Sequence, residues 1–284
     1  MPSNVLEPSS PCEFRCLGPV ALTRRDCGPL PLRTRKQIAL LLYLARRPGR
    51  PVGRDELIEL LWSADAERPA RHSLSQSASL VNKSLGSEAI VTAGRERLVV
   101  VPGAVWLDVT EFERLAGDGR RDEALALWRG PLLEGTWVGR APNFERWLSE
   151  ERDRLQRIFR RIAHGRLEEL RTGGDHATMR DESERLLQAD ALDEKAMLVH
   201  LEALTLLDDR SLALRRFGEF ERRLRKELEA EPGPALRTWA KRHRRSDGGA
   251  PARRHLPLMR VSEVMVLPAP QPLFGRTEEF AMLW

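Results

Sequence analysis

The spacing of apolar positions changes along the first hundred residues of the chain. Short apolar stretches broken by Gly and Pro, Glu13–Leu22 and Cys27–Leu32, are typical of strands. Apolar residues then recur every three or four positions from Ile38, which predicts an amphipathic helix that ends at Pro48. A second helix is predicted after Gly53, because the acidic residues of its first turn suit the positive end of a helix dipole.

A third helix is predicted from Pro69 to Leu85, because proline favours a first helical turn and Gly86 ends the pattern. Its apolar residues fall in one narrow stripe, and they are Leu74, Ala78, Val81 and Leu85. The opposite side carries only polar residues, which are His72, Ser75, Gln76, Ser79 and Lys83. No acidic residue occurs between Arg68 and Gly86.

The polar face of this third helix has chemistry suited to DNA. Hydroxyls, an amide and cations can approach phosphates without like-charge repulsion, and Gln and Ser can hydrogen-bond to base edges in the major groove. We therefore predict that the five polar residues of that face, His72, Ser75, Gln76, Ser79 and Lys83, read bases. A histidine in such a position is typically solvated or in contact with phosphate, which makes a catalytic role for His72 the less favoured interpretation.

A hairpin with a basic tip is predicted next, because 89–92 and 97–102 flank Ala93-Gly94-Arg95. Strands, three helices and a hairpin in this order predict a winged helix-turn-helix. Basic residues of the wing, of the third helix and of the start of the first helix are candidates for phosphate contacts, since helix N-termini favour anions. These candidates are Arg35, Lys36, Arg71, Arg95 and Arg97.

From Asp108 onward the pattern is helical. Helices are predicted at Val109–Leu115, Asp122–Trp128, Phe144–Leu170, Ala177–Ala189, Glu194–Leu207, Ser211–Glu229 and Pro234–Arg245. Leu167, Leu170 and Asp175 recur 34 residues later as Leu201, Leu204 and Asp209, and Leu186 recurs as Phe220. That period is typical of tetratricopeptide helix pairs. The predicted fold class is therefore mainly α, with an α+β winged helix followed by an all-α tetratricopeptide-like domain.

Charge is distributed unevenly along the chain. Residues 1–105 contain 15 Lys and Arg against 10 Asp and Glu, residues 106–240 contain 24 against 28, and residues 241–284 contain 8 against 4. A basic N-terminal unit is the pattern expected of a nucleic-acid binder, because Lys and Arg displace counterions from phosphates. Arginine bias from a GC-rich genome would give the same excess, so charge alone leaves both interpretations open.

Several classes of protein are disfavoured by the sequence. The longest apolar run, Ile38–Leu44, is too short to span a membrane, and the N-terminus lacks a signal peptide, so we expect a cytoplasmic protein with no membrane partner. Cys12, Cys16 and Cys27 are interpreted as small residues of an N-terminal sheet rather than as disulfide or metal ligands. The sequence has no Walker A motif, nucleophile elbow or His-Glu-x-x-His motif, and we predict neither enzymatic activity nor a cofactor.

Three stretches of the first unit resemble the DNA-binding domain of bacterial transcriptional activators of the SARP/AfsR type. They are LGPV (17–20), LRTRKQIALLLYLARRPGRPVGRDELIELLW (32–62) and ERPARHSLSQSASLVNKSLG (67–86). A fourth stretch, WLDVTEFERL (106–115), resembles the segment that follows this domain in the family. The family usually has an Arg-rich end to its recognition helix, where this chain reads SLVNKS (79–84). Fewer cations there imply weaker or more partner-dependent DNA affinity.

The second half resembles the bacterial transcriptional activation domain that follows in the same family. The stretches that carry this resemblance are ALALWRGPLLEG (124–135), ERWLSEERDRL (145–155) and RRLRKELEAEPGPALRTW (222–239). LFGRTEEF (273–280) resembles the segment that precedes the phosphate-binding loop of STAND and AAA-type ATPases. The implied organisation is a disordered N-terminus (1–12), a winged helix (13–105), a helical domain (106–245), a Pro-rich linker (246–272) and the start of an ATPase domain (273–284).

The resemblance implies a transcriptional regulator, and an activator in particular. Its partners would be double-stranded DNA, a second copy of the chain on DNA, and RNA polymerase through the helical domain. The alternative is an interaction scaffold in which both the winged helix and the helical repeats dock proteins. A winged helix with a serine-rich face and one lysine is compatible with that second interpretation.

Overall fold

The N-terminal part of the chain contains three helices and two small sheets. The computed structural model describes residues 12–24, 28–63 and 67–245. The strands are β1 (Cys12–Arg15), β2 (Ala21–Arg24), β3 (Gly28–Pro29), β4 (Val52–Gly53), β5 (Ile90–Thr92), β6 (Arg97–Val100) and β7 (Val105–Leu107). One sheet has the order β3-β2-β1-β7, in which β1 and β7 are parallel, and the other is antiparallel with the order β4-β6-β5.

The helices lie close to the positions that periodicity predicts. They are α1 (Arg35–Ala45), α2 (Arg54–Trp62), α3 (Glu67–Leu85), α4 (Asp108–Gly117), α5 (Arg121–Leu127), α6 (Pro142–Gly173), α7 (His176–Ala189), α8 (Glu194–Leu206), α9 (Arg210–Leu228) and α10 (Pro234–Arg245). The predicted fold class, a winged helix followed by a helical domain, is confirmed. No helix in the described part of the chain is both long and apolar enough to cross a membrane.

Matched helix caps mark the 34-residue repeat. Asp175 accepts a hydrogen bond from the backbone of Thr178 at the start of α7, and Asp209 does the same for Leu212 at the start of α9. Such caps satisfy N–H groups that have no partner within the helix. Leu186 of α7 and Phe220 of α9 are both buried. Each repeat therefore buries the same face, as stacked helix pairs require.

The predicted strand stretch Glu13–Leu22 forms most of β1 and the start of β2, and the chain turns between them at Gly18, whose φ is +100°. Two boundaries of the predicted organisation are wrong. Cys12 belongs to β1 and not to a disordered N-terminus. The boundary after residue 105 cuts β7, which pairs with β1. The predictions for residues 1–11, Cys27, 246–272 and 273–284 concern residues outside the described ranges.

The winged helix and the start of the helical domain share one hydrophobic core. The backbone N–H groups of Cys16 and Leu17 donate to the carboxylate of Asp108 at 2.8–2.9 Å, and Asp108 is 1% exposed. The backbone of Leu133 donates to the Cys16 carbonyl at 2.8 Å. Burial raises the pKa of Asp108, although the bonds from Leu17 and Cys16 oppose that shift. The N-terminal sheet is thus fixed to the start of the helical domain by buried polar bonds.

Candidate nucleic-acid interface

Helix α3 is held in place by the apolar stripe that the sequence predicts. Leu74, Ala78, Val81 and Leu85 are all buried against the winged-helix core. The Asn82 amide donates to the Ile90 carbonyl at 2.7 Å and accepts from the Ile90 N–H at 2.8 Å. These two bonds fix the first strand of the wing to α3, so that the helix and the hairpin keep one orientation.

The opposite face of α3 is exposed along its length. The five predicted base-reading residues, His72, Ser75, Gln76, Ser79 and Lys83, are all exposed, which confirms the helical phase deduced from the sequence. The Ser75 hydroxyl donates to the Arg71 carbonyl and accepts from Arg54 Nη1, each at 3.1 Å. The contact of these residues with DNA remains a prediction.

The wing presents Arg95 and Arg97 at the surface. Both are exposed, and they lie in and beside the tight turn between β5 and β6. Gly94 occupies the left-handed region with φ of +68°, which a residue with a side chain adopts only with strain. The turn also contains Glu96, whose negative charge partly offsets the two arginines.

Arg71 forms ion pairs with two neighbouring elements. Its guanidinium lies 2.6 Å from the Asp55 carboxylate of α2 and 3.3 Å from the Glu96 carboxylate of the wing. Both partners are exposed, so these are surface pairs that a competing anion can exchange. The ion pairs offset the charge that was predicted for phosphate binding, and they connect α2, α3 and the wing.

Arg35 and Lys36 at the start of α1 make contacts within the protein. Arg35 Nη1 donates to the backbone carbonyl of Trp137 at 3.0 Å. Lys36 Nζ lies 5.0 Å from the centre of the Trp62 ring. These contacts direct Arg35 toward the loop before α6 and place Lys36 beside the end of α2, and phosphate contact by either residue remains a prediction.

Arg54 is a basic residue of this surface that the sequence analysis missed. It is the first residue of α2, its side chain contacts Ser75 on α3, and its backbone N–H donates to the Glu96 carbonyl at 2.9 Å. A cation at a helix N-terminus is disfavoured by the dipole. That mismatch was the available signal in the sequence that Arg54 serves a purpose other than helix stability.

Two family models match this chain, one in the N-terminal unit and one in the helical domain. "Transcriptional regulatory protein, C terminal" matches residues 30–93, and "Bacterial transcriptional activator domain" matches residues 107–242. Both describe regulators of transcription, so the prediction that these residues form no enzyme is confirmed. Within the described ranges, no group of three or more His, Cys, Asp or Glu side chains could hold a metal ion.

Individual relatives agree with the two family models. The regulatory protein AfsR of Streptomyces griseus is 27% identical over 281 residues, which cover 93% of this chain and 28% of AfsR. The transcriptional regulatory protein EmbR of Mycobacterium tuberculosis is 33% identical over 143 residues, which cover 43% of this chain and 36% of EmbR. The chain thus spans about a third of the length of the curated relatives it matches.

A solved structure has the same fold. Mycobacterium tuberculosis EmbR in complex with a low affinity phosphopeptide superposes with a TM-score of 0.60 and 25% identity, covering 83% of this chain and 65% of that chain. Two consecutive regulatory domains, a relative that aligns with most of this chain, and a matching fold agree with one another. The chain belongs to the SARP-type bacterial transcriptional regulators.

Proposed function

We propose that this chain binds double-stranded DNA through its winged helix and regulates transcription, as an activator. Helix α3 enters the major groove, and Arg95 and Arg97 of the wing contact phosphates. The observation that carries the proposal is the polar face of α3, which is exposed over three turns and holds no acidic residue, opposite a fully buried stripe. The match of residues 30–93 to a transcriptional regulatory domain supports it.

The helical domain is proposed to hold two copies of the chain on DNA and to contact RNA polymerase. Stacked helix pairs leave extended surfaces open to partners. Two linked winged helices gain from effective concentration by roughly 10²–10⁴ when their spacing matches two half-sites. A single copy with one lysine on the face of α3 would bind more weakly, which favours the paired arrangement.

Removing the predicted base-reading groups should relax sequence specificity. Gln76→Ala and Ser79→Ala are each expected to cost about 1–3 kcal/mol on the operator, because a side chain that discriminates among bases is lost. Binding to random duplex should stay nearly constant, since neither side chain carries charge. Fluorescence anisotropy on operator and random duplexes measures both affinities, with Ser211→Ala on α9 as a control. Unchanged operator affinity in both variants would contradict the proposed role of α3.

Neutralising the wing should weaken binding to all sequences alike. Arg95→Gln and Arg97→Gln each remove one proposed phosphate contact, so the slope of log affinity against log salt should fall by about 0.9 per contact. A salt titration on operator and random duplexes measures the slope, and Arg180→Gln on the exposed surface of α7 serves as the matched control. A wing variant that loses affinity for the operator alone would argue against a backbone contact.

The same salt titration separates this proposal from a protein-docking scaffold. A DNA-binding regulator loses affinity for random duplex steeply as salt increases, whereas a scaffold has no such affinity to lose. If the complete chain shows no salt-dependent binding to duplex DNA, the winged helix is a docking module and the proposed function is wrong.

A further inference from the structure

Helices α9 and α10 are strongly basic within a helical domain that is otherwise acidic. Together they contain twelve Lys and Arg residues and three Asp and Glu residues, whereas residues 106–209 contain 16 and 23. Other charged helices of this domain mix both signs, as in α4, where Arg114 pairs with Glu111 and Asp118. Helix α10 has no acidic residue of its own, so its cations repel each other unless anions from outside the helix neutralise them.

The apolar side of α10 fixes this helix in place. Leu236, Trp239 and Ala240 are buried, and the Trp239 ring lies 6.0 Å from the Phe217 ring of α9. The His243 ring stacks on Trp239 with 4.5 Å between the centroids. The charged side of α10 is therefore presented from a packed helix rather than from a loosely held segment.

Three cations form a row along the exposed side of α10. Arg237, Lys241 and Arg244 occupy positions i, i+4 and i+7 of the helix, and all three are exposed. At 1.5 Å per residue the row is about 10 Å long. A DNA strand advances about 3.4 Å along the axis for each phosphate, so a row of this length faces about three phosphates.

The two carboxylates nearest to this row form only weak ion pairs with it. Glu231 lies 3.4 Å from Arg237, and Glu221 lies 3.6 Å from Arg244. Exposed ion pairs of this kind contribute roughly 0–1 kcal/mol, because water and salt screen them. A polyanion with several phosphates can displace both carboxylates, since it offers several charges at once.

We propose that the exposed face of α10, defined by Arg237, Lys241 and Arg244, binds the phosphate backbone of duplex DNA as a second nucleic-acid contact of this chain. The inference rests on the proposed DNA-binding function, because that function brings duplex DNA to the same molecule. Three cations on a packed helix add affinity without sequence preference. This surface supplements the wing, whose basic tip is offset by Glu96, and the face of α3, which carries one lysine.

The test is a salt titration with the complete chain on a random duplex. The double variant Arg237→Gln/Lys241→Gln is expected to lower the slope of log affinity against log salt by about 1.8, which is about 0.9 for each lost phosphate contact. The matched control is Arg180→Gln/Arg185→Gln on α7, where both arginines are exposed and have acidic neighbours. The control should keep the slope of the unmodified chain. Circular dichroism should show that both variants remain folded, because all four side chains lie at the surface.

The same α10 variant made in a Gln76→Ala chain distinguishes failure of this inference from failure of the proposed function. In a Gln76→Ala chain the α10 variant should still lower the slope by the same amount, because backbone contacts do not depend on base reading. Loss of specificity from Gln76→Ala without any slope change from the α10 variant would overturn the α10 contact and leave the α3 proposal standing. Equal slopes for the α10 variant and the unmodified chain, with binding to phosphatidylglycerol vesicles lost only in the variant, would assign the surface to lipid and overturn the proposal.

Discussion

Replacing Asp108 with alanine is expected to lower the free energy of unfolding by about 4 kcal/mol. The substitution leaves the backbone N–H groups of Cys16 and Leu17 without an acceptor in a site that is 1% exposed. Each buried donor left unsatisfied costs about 1–3 kcal/mol. A loss of that size is a large fraction of the ~5–15 kcal/mol that stabilises a typical domain. Urea unfolding followed by circular dichroism measures the change.

Two further variants make that measurement specific. Asp108→Asn keeps one acceptor oxygen, so it should cost about half as much as Asp108→Ala. Asp118→Ala removes an exposed carboxylate from the other end of the same helix and should change stability by less than about 0.5 kcal/mol. If Asp108→Ala and Asp118→Ala unfold at the same urea concentration, the bonds to Cys16 and Leu17 do not stabilise the contact between the N-terminal sheet and α4.

Periodicity was sufficient to predict the elements that carry the proposed site. The stripe from Leu74 to Leu85 is buried and the opposite face is exposed, because a helix that packs on one side must segregate its apolar residues. The same applies to Asp175 and Asp209, whose spacing of 34 residues reflects two helices that begin in the same way. These are local patterns, and the local sequence contains them.

The contacts of charged residues could not be predicted in this way. Arg71 was expected to face phosphate, but its partners, Asp55 and Glu96, come from two elements that meet α3 only in the folded chain. Asp108 lies in the first turn of a helix, where an acidic residue needs no further explanation. Its carboxylate accepts hydrogen bonds from the backbone N–H groups of Leu17 and Cys16, which precede it by 91 and 92 residues. Periodicity carries no information about such long-range pairs.

The pair Ser183 and His200 illustrates the same limit within the repeats. A serine at a buried position of α7 is unusual, because its hydroxyl needs a hydrogen-bond partner there. The structure supplies the partner, because His200 of α8 places its Nδ1 3.0 Å from the Ser183 hydroxyl. Burial lowers the pKa of His200 and so favours the neutral ring, although the Glu184 carboxylate opposes that shift. A buried polar side chain in a sequence predicts that a partner exists but does not identify it.

Residues 1–105 alone are expected not to fold, although the sequence pattern places the end of the winged helix at residue 105. The fragment lacks most of β7, whose parallel pairing with β1 completes the N-terminal sheet. It also lacks Asp108, which accepts the backbone bonds of Cys16 and Leu17, and Trp147, whose ring lies 5.1 Å from that of Tyr43 in α1. The fragment also exposes apolar side chains that the helical domain covers; each costs roughly 1.5–3 kcal/mol, so a few of them approach the whole stability of a small domain.

Three fragments of increasing length show which residues stabilise the winged helix. Residues 1–245 should unfold in one cooperative thermal transition and bind the operator, whereas residues 1–105 should show neither a cooperative transition nor operator binding. Residues 1–118 restore β7 and Asp108 but not the strand bridge between Leu17 and Leu132, so they should recover only part of the stability. Circular dichroism melts and gel shifts on the three fragments measure both properties. A cooperative transition and equal operator affinity for residues 1–105 would restore the independent winged helix, and the shared core would then be a contact between two domains that fold separately.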